Sequence, residues 1–262
     1  MLPERPREGE SFAELKSAHT PSAIRERLQN GFQHSYLRDF VYGAIDGAVT
    51  TFAVVSGVAG AGLSSSIIII LGLANLLGDG FSMAASNFLG TRAEEQLREK
   101  ARQIEKSHIQ RIPEGEREEI RQIFSAKGFK GKELERAVQI ITSDQKQWVN
   151  TMLTEELGLA AEGPSAIRAA LCTFAAFLII GALPLLSFIW QGIFPSTRFD
   201  PFTVSAIITG LAFFVVGALK ARFVGERWHK AGFETLLVGG CAAFLAFMVG
   251  VLLKGIVKTV VY

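Results

Sequence analysis

The stretch FVYGAIDGAVTTFAVVSGVAGAGL, residues 40–63, decides the fold of this 262-residue chain. It contains a single charged side chain, Asp46, and a helix needs about 20 mostly apolar residues to cross the hydrocarbon core of a bilayer. Between Arg38 and Arg92 the chain carries no Lys or Arg at all. A soluble domain seldom leaves so long a segment without solvated charge. The segment therefore predicts a transmembrane helix and excludes a simple soluble enzyme.

Four further apolar runs are long enough to span a membrane: residues 67–89, 167–190, 202–219 and 233–253. They predict an all-α membrane protein with five transmembrane helices. Of the 52 charged residues, only 2 lie in residues 40–90, whereas 27 lie in residues 91–165. We therefore expect a helical domain between transmembrane helices 2 and 3. The expected segments are an N-terminal arm (1–38), transmembrane helices 1–2 (39–91), the helical domain (92–165) and transmembrane helices 3–5 (166–258).

Basic residues predict the orientation, because loops on the cytoplasmic side of a membrane protein are rich in Lys and Arg. The connection between the fourth and fifth spans holds four of them: Lys220, Arg222, Arg227 and Lys230. This places the N-terminal arm and the 92–165 domain in the cytoplasm and the C-terminus outside. Lys254 and Lys258 then lie on the outer side, against the rule.

Helix start and stop signals divide the charged block into four helices. The first continues the second span to residue 109, and Pro113 begins the second, which ends before Gly128. The third covers residues 131–141. Ser143 or Asp144 caps the fourth, which ends before Gly158.

Two acids, Asp46 and Asp79, lie inside the first two predicted spans. A charge at the centre of a bilayer costs about 2.5–3.5 kcal/mol on insertion scales, so such residues usually mark a pathway. Because these spans have no Lys or Arg, the expected partner of each carboxylate is a cation or a proton.

Other polar residues extend this candidate path. Asn75, Asp79 and Met83 are four residues apart and share one stripe of a helix, and Asp39 lies two turns before Asp46. Counted from Arg38 and Arg92, Asp46 and Met83 lie at nearly the same depth, about 12 and 13 Å in. A thioether among carboxylates favours Fe²⁺, Mn²⁺, Co²⁺ or Zn²⁺ over Mg²⁺ and Ca²⁺.

The charged block offers a second candidate metal site. Glu105 with His108, Glu116 with Glu119, and Met152 with Glu156 each project from one side of a predicted helix. Inward-facing pairs of this kind hold transition metals in helical bundles. Spacing alone also permits the other acids, which are Glu94, Glu95, Glu99, Glu114, Glu118 and Glu155, and solvated salt bridges are the simpler interpretation of such acids.

Small residues are frequent in the first span, where Gly43 and Gly47 form a GxxxG pattern. This spacing is typical of helix contacts in membranes. We take it as a hypothesis for a dimer contact.

Four quoted stretches resemble the vacuolar iron transporter family. RDFVYGAIDGAVTTFAVVSGVAGAG (38–62) and GLANLLGDGFSMAASNFLGTRAEE (72–95) are similar to its first two spans. IPEGEREEI (112–120) and MLTEELGL (152–159) are similar to its cytoplasmic metal-binding domain. The similarity covers about residues 36–258, and five spans with an inserted domain are that family's layout.

The resemblance implies a dimeric exporter of divalent metal, chiefly Fe²⁺ and often Mn²⁺, which exchanges metal for protons. We expect a bacterial member in the inner membrane. Transferred to this sequence, the family's membrane path uses Asp39, Asp46 and Met83. Its metal cluster falls at the six residues paired above: Glu105, His108, Glu116, Glu119, Met152 and Glu156.

Two positions depart from the family pattern. Asn75 stands where the family commonly has Glu, and Asp79, one turn away, is the available replacement for that carboxylate. His108 stands where plant members have Glu. A neutral imidazole still binds transition metals, but its affinity depends more on pH near neutrality.

A membrane-anchored metal-binding or sensing module without transport is the rival interpretation. An enzyme is not expected, because the sequence has no nucleophile–base pair, phosphate loop or HExxH motif. No organic cofactor is expected either. Nucleic acid is excluded as a partner by the absence of a basic tract, since the net charge is only +2.

Overall fold

A computed structural model describes residues 11–29, 35–196 and 198–260. These residues form eleven α-helices and one 3₁₀ turn. In chain order the first seven helices are α1 (Phe12–Ala18), α2 (Pro21–Gln29), α3 (Leu37–Gly60), α4 (Ser65–Arg111), α5 (Pro113–Ala126), α6 (Gly131–Thr142) and α7 (Gln145–Glu155). The others are α8 (Ala166–Gly181), α9 (Leu186–Ile193), α10 (Pro201–Val224) and α11 (Trp228–Val260), and the 3₁₀ turn (Leu183–Leu185) lies between α8 and α9. Of the predicted arm, residues 1–10 and 30–34 lie outside the described residues.

Five helical segments are long and apolar enough to cross a membrane, as predicted. They are α3, the first part of α4, α8 together with α9, α10 and α11. The chain divides into two compact units. We call the one formed by residues up to Phe88 and from Ile167 the membrane unit, and Leu89–Ala166 the helical unit. α4 contributes its first part to the membrane unit and its last part to the helical unit.

Glycines bring α3 and α8 into backbone contact. A Cβ atom added to Gly43 would lie 3.1 Å from Thr173 Cα, and one added to Gly47 would lie 3.0 Å from Phe177 Cα. Only glycine leaves room for so close an approach. The hypothesis that Gly43 and Gly47 form a dimer contact is therefore wrong, because α8 of the same chain occupies their face.

A second small-residue contact joins α3 to α11 near the C-terminal end of α3. A Cβ atom on Gly57 would lie 3.4 Å from Ala246 O, and one on Gly250 would lie 2.9 Å from Ala61 N. At the same end, Lys254 Nζ packs beside Gly62, whose φ is +73°. A cation is favourable at a helix C-terminus. This contact gives Lys254 a structural role at the C-terminal end of α3.

The third span is interrupted, although its sequence predicts one continuous helix. Pro184 has no N–H to donate, so the helix changes to a 3₁₀ turn at Leu183–Leu185 before it resumes as α9. The Ser205 hydroxyl of α10 donates to the Pro184 carbonyl oxygen over 2.6 Å. This hydrogen bond satisfies a carbonyl at the interruption inside an apolar span.

The helices of the helical unit begin and end close to the predicted residues. Pro113 begins α5, Asp144 caps α7 by accepting from Gln147 N over 2.9 Å, and Gly128 and Gly158 follow α5 and α7 with positive φ. The buried core contains Ile109, Ile120, Val138, Ile141, Trp148, Val149, Met152 and Leu153. Each of the four helices of the unit contributes to this core, which fixes the faces that carry the polar cluster described next.

Candidate metal sites

Three side chains of the helical unit converge on one point. Glu105 and His108 come from the last part of α4, and Glu116 comes from the first turns of α5. One ligand atom from each lies within 4.8 Å of the others, and His108 Nδ1 is 3.3 Å from Glu116 Oε1. Glu105 and Glu116 are each only 4% exposed. Two carboxylates and an imidazole held this close form a set that suits a divalent transition metal.

The two buried carboxylates keep unused acceptor atoms. Glu105 Oε2 and Glu116 Oε2 are buried and have no hydrogen-bond partner among the described residues. A bare buried carboxylate oxygen is costly unless a proton or a cation satisfies it. The arrangement is therefore suited to take up a positive charge.

The electrostatics of the cluster agree with this geometry. Burial raises the pKa of Glu116 to about 7, and the negative charges of Glu119, Glu105 and Glu156 add to the shift. Burial also raises the pKa of Glu105 and of Glu156, with His108 partly offsetting the shift in both. Like charges close together disfavour ionisation, so a bound cation would stabilise all of these carboxylates at once.

Met152 is the predicted ligand on α7. Its side chain is fully buried in the core beside Ile109 and Ile120, the chain neighbours of His108 and Glu119. Glu156, one turn further along, follows α7 as its C-cap and interacts electrostatically with Glu119 and Glu105. Of the six predicted residues, the structure brings Glu105, His108 and Glu116 within 4.8 Å of one another, and a place for Glu119, Met152 and Glu156 in the same site stays a prediction.

Most of the acids that spacing also permitted have other partners. Five of them pair with a base in the described residues: Glu95 with Arg92, Glu99 with Arg102, Glu114 with Arg117, Glu118 with Arg121, and Glu155 with Lys127. Glu94 is solvent exposed. Glu105 and Glu116 differ from all six acids in being buried, and from the five paired acids also in lacking a Lys or Arg partner among the described residues.

Cross-links between the helices hold the cluster in place. Arg121 Nε of α5 donates to Glu135 Oε1 of α6 over 2.9 Å, and Nζ of Lys127, the C-cap residue of α5, lies 2.5 Å from Glu155 Oε1 of α7. Arg102 of α4 donates to Asn150 Oδ1 over 2.8 Å and to the Ala161 carbonyl over 2.9 Å. Sequence reasoning did not find the Arg102 contacts, because neither the sequence separation nor the residue types point to them.

In the membrane unit, Asp46 of α3 and Asp79 of α4 interact electrostatically. Asn75 Nδ2 donates to Thr50 Oγ1 over 3.4 Å, and Thr50 Oγ1 donates to the Asp46 carbonyl over 2.9 Å. The predicted residues Asn75, Asp79 and Asp46 therefore lie together where α3 meets α4.

The contacts between α3 and α4 correct the depth estimate. Thr50 meets Asn75, and Asp39 meets Asn87, so in these antiparallel helices Asp46 is level with Asp79. Met83 lies one helical turn, about 6 Å, away from the level of Asp46, on the side towards Asp39. The estimate from Arg38 and Arg92 was wrong by this turn because α4 continues unbroken past Arg92, so the two arginines do not mark the same level.

Asp39 is held by an asparagine that sequence reasoning missed. Asn87 Nδ2 donates to Asp39 Oδ1 over 2.8 Å and to Thr173 Oγ1 of α8 over 2.7 Å. The signal was present in the sequence, because Asn87 follows Met83 by four residues and continues the Asn75–Asp79–Met83 stripe.

Comparison with known proteins identifies the family. The sequence pattern of the VIT family matches residues 37–251, which include every candidate metal residue named above. The chain is 35% identical over 228 residues to the vacuolar iron transporter of Toxoplasma gondii, covering 85% of this chain and 76% of that protein. This chain belongs to the VIT family.

Other relatives of this VIT family member carry the same name. The vacuolar iron transporter of Plasmodium berghei is 30% identical over 243 residues, covering 90% of this chain and 89% of that protein. Vacuolar iron transporter 1 of Arabidopsis thaliana is 30% identical over 212 residues, covering 80% and 83%. The expected family is confirmed. The expectation that the chain is not an enzyme is confirmed with it, because the family is one of transporters.

Proposed function

We propose that this VIT family member moves Fe²⁺, and other divalent transition metals such as Mn²⁺, Co²⁺ or Zn²⁺, across the lipid bilayer. The observation that carries the proposal is that Asp46 and Asp79 lie at the same level of two neighbouring spans, with no Lys or Arg between Arg38 and Arg92. Two acids without a basic partner in a membrane segment call for a mobile cation or proton. The names of the relatives support iron as the substrate.

The helical unit is the proposed metal collector, located in the cytoplasm. Glu105, His108 and Glu116 would bind the ion first, and Glu119, Glu156 and the Met152 thioether would complete the set. The mixture of oxygen, imidazole nitrogen and thioether sulfur fits Fe²⁺ and its first-row neighbours better than Mg²⁺ or Ca²⁺. The cluster thus raises the local supply of metal for the membrane path.

The membrane path would run from Asp39 past Met83 to Asp46, Asp79 and Asn75, out of the cytoplasm. Protons are the proposed exchange partner. A proton on Asp46 or Asp79 removes a bare charge from the spans after the metal leaves. Metal moving outwards would then be exchanged for protons moving inwards.

A homodimer is the proposed assembly. Asp79 is exposed on α4 together with Leu77 (59%) and Phe81 (69%). A carboxylate facing lipid is unfavourable, so a second copy covering this face would remove the cost. The N-terminal arm is proposed to lie in the cytoplasm and the C-terminus outside. The location in a bacterial inner membrane stays a prediction.

Metal flux into proteoliposomes tests the role of Asp46. Asp46→Asn keeps the size of the side chain but removes the charge, and we expect Fe²⁺ flux to fall to the level of empty liposomes. Asp200→Asn is the matched control. Asp200 caps α10 by accepting from Thr203 N over 2.9 Å, and Asn caps helices equally well, so flux should be unchanged. Normal flux in the Asp46 variant would contradict the proposed role.

The rival function, an anchored metal-binding module, predicts a different result. Fe²⁺ would bind to the wild-type protein, but no metal would accumulate inside the vesicles. The Asp46–Asp79 pair argues against this function, because an anchor has no use for acids inside the membrane.

A further inference from the structure

The hydrogen bonds of Asn87 determine which way its amide points. Asp39 is a carboxylate, which only accepts hydrogen bonds, so the amide nitrogen must be the atom 2.8 Å from Asp39 Oδ1. Thr173 Oγ1 donates its proton to the Asp39 carbonyl over 3.4 Å, so towards Asn87 it accepts. The Asn87 amide therefore donates one hydrogen to α3 and the other to α8. Asn87 itself belongs to α4, so its side chain joins three helices of the membrane unit.

This arrangement keeps a cation away from one carboxylate oxygen of Asp39, Oδ1. The amide NH₂ group carries partial positive charge and lies at hydrogen-bond distance from Asp39 Oδ1. A divalent ion approaching that oxygen meets the hydrogens of Asn87 before it meets a second ligand. Rotation of the amide by 180° exchanges its nitrogen and oxygen, which are nearly equal in size. After that rotation, the Asn87 oxygen and Asp39 Oδ1 face the same point.

We propose that Asn87 is a switching ligand of the membrane path: it holds Asp39 by donation when no ion is present, and it turns to bind a divalent cation together with Asp39. The inference rests on the proposed transport function. It adds a ligand one helical turn after Met83 on the same stripe of α4. Carboxylate and amide oxygens are ligands that divalent cations accept together. The path then offers a ligand at each turn of α4 from Asn87 to Asn75.

Two substitutions of similar size separate this role from a structural one. Asn87→Asp keeps an oxygen ligand and removes the donor, so we expect the KM for Fe²⁺ to fall roughly tenfold and kcat to fall with it. Asn87→Leu removes both donor and ligand, so KM should rise roughly tenfold. If Asn87 only connects the helices through its hydrogen bonds to Asp39 and Thr173, both variants lose the same hydrogen bonds and should shift KM in the same direction.

Thr173→Val is a third, independent variant, which keeps Asp39 and Asn87 but removes one acceptor of the amide. The amide then turns more easily, and KM should fall about threefold. A rise in KM in this variant, or equal KM values for wild type and all three variants, would overturn the proposal. If Asn87→Leu does not fold, Asn87→Asp and Thr173→Val still decide the question, because both are expected to lower KM.

The same flux series separates this inference from the proposed function. Wild-type protein and Asp46→Asn are measured beside the three variants, with the thermal midpoint of each variant as the folding control. No flux above empty liposomes in the wild type would contradict transport itself. Wild-type flux that is lost in Asp46→Asn but unaffected at Asn87 and Thr173 would contradict only the switching ligand.

Discussion

At the scale of single residues, Glu116 carries most of the chemistry of the helical unit. Its spacing from Glu119 predicts a pair of metal ligands on one face of a helix. By spacing alone, however, six other acids of this unit were equally good candidates for ligands. The structure distinguishes them by what surrounds each carboxylate. Glu116 is buried with an unpartnered Oε2, whereas acids such as Glu118 are exposed and paired with arginine. Burial and pairing arise from the packing of three helices, which spacing along one helix cannot report.

The raised pKa of Glu116 predicts that metal binding depends on pH. Below about 7 this carboxyl holds a proton in the folded protein, and an incoming ion must displace it. Affinity for Fe²⁺ should therefore fall between pH 7.5 and pH 6, and binding at pH 6 should release about one proton from Glu116. Calorimetry in buffers of different ionisation enthalpy measures this release. Glu116→Gln should weaken binding and flatten the pH dependence, and an unchanged slope in that variant would contradict the assignment.

The raised pKa of Glu116 also makes the stability of the folded protein depend on pH. The carboxyl has a pKa of about 7 in the folded protein and 4.5 as its ordinary value, so the folded state binds the proton more tightly. Its contribution to stability is fully present below about 4.5 and is lost as pH rises through 7. The metal-free helical unit should lose this contribution near neutral pH, and a bound metal should restore it.

At the scale of helices, local signals predicted most boundaries in the charged block. Pro113, Asp144, Gly128 and Gly158 act through their own backbone or side chain, so they can be read without tertiary information. The interruption at Leu183–Leu185 was missed because hydropathy stays high across Pro184. The depth of Met83 relative to Asp46 was predicted wrongly, because it depends on which residues of α3 and α4 lie opposite each other, and the sequence does not show this.

Close packing of α3 predicts a large cost for a single methyl group. A Cβ atom on Gly47 would overlap the backbone of Phe177, so Gly47→Ala should destabilise the protein by about 1–3 kcal/mol. Gly240→Ala is the matched control in α11, because nothing lies within 4 Å of its added Cβ atom. That variant should be neutral or gain up to about 1 kcal/mol from helix propensity. Thermal unfolding in detergent measures both, and equal midpoints would contradict the packing described.

At the scale of the whole molecule, the distribution of charge along the chain predicted the division into two units. Charge is scarce where the spans lie and dense in Leu89–Ala166, because lipid excludes charge and water solvates it. The helical unit has a core of its own, which includes the fully buried Ile120, Met152 and Leu153. Helical spacing and family resemblance predict six candidate ligands in this unit, and the structure brings three of them, Glu105, His108 and Glu116, together. Helical spacing also marks Asn87 as the next member of the Asn75–Asp79–Met83 stripe, but its contacts could not be predicted, because Asp39 and Thr173 are distant in sequence.

An independent core predicts that Leu89–Ala166 folds and binds metal without the membrane unit. The fragment should be helical by circular dichroism and should bind Fe²⁺ or Co²⁺ at pH 7.5. Glu105→Gln should weaken this binding, whereas Glu118→Gln, which alters an exposed acid paired with Arg121, should leave it unchanged. Equal affinity in the two variants would show that the cluster is not the binding site.

Transport itself is tested most directly by recording Fe²⁺ and pH together inside proteoliposomes that contain the wild-type protein. An imposed pH gradient should drive Fe²⁺ against its own gradient, with protons moving the opposite way and with neither movement in Asp46→Asn vesicles. Binding of Fe²⁺ to the protein without any accumulation of metal in the vesicles would contradict the account and leave the anchored metal-binding module in its place.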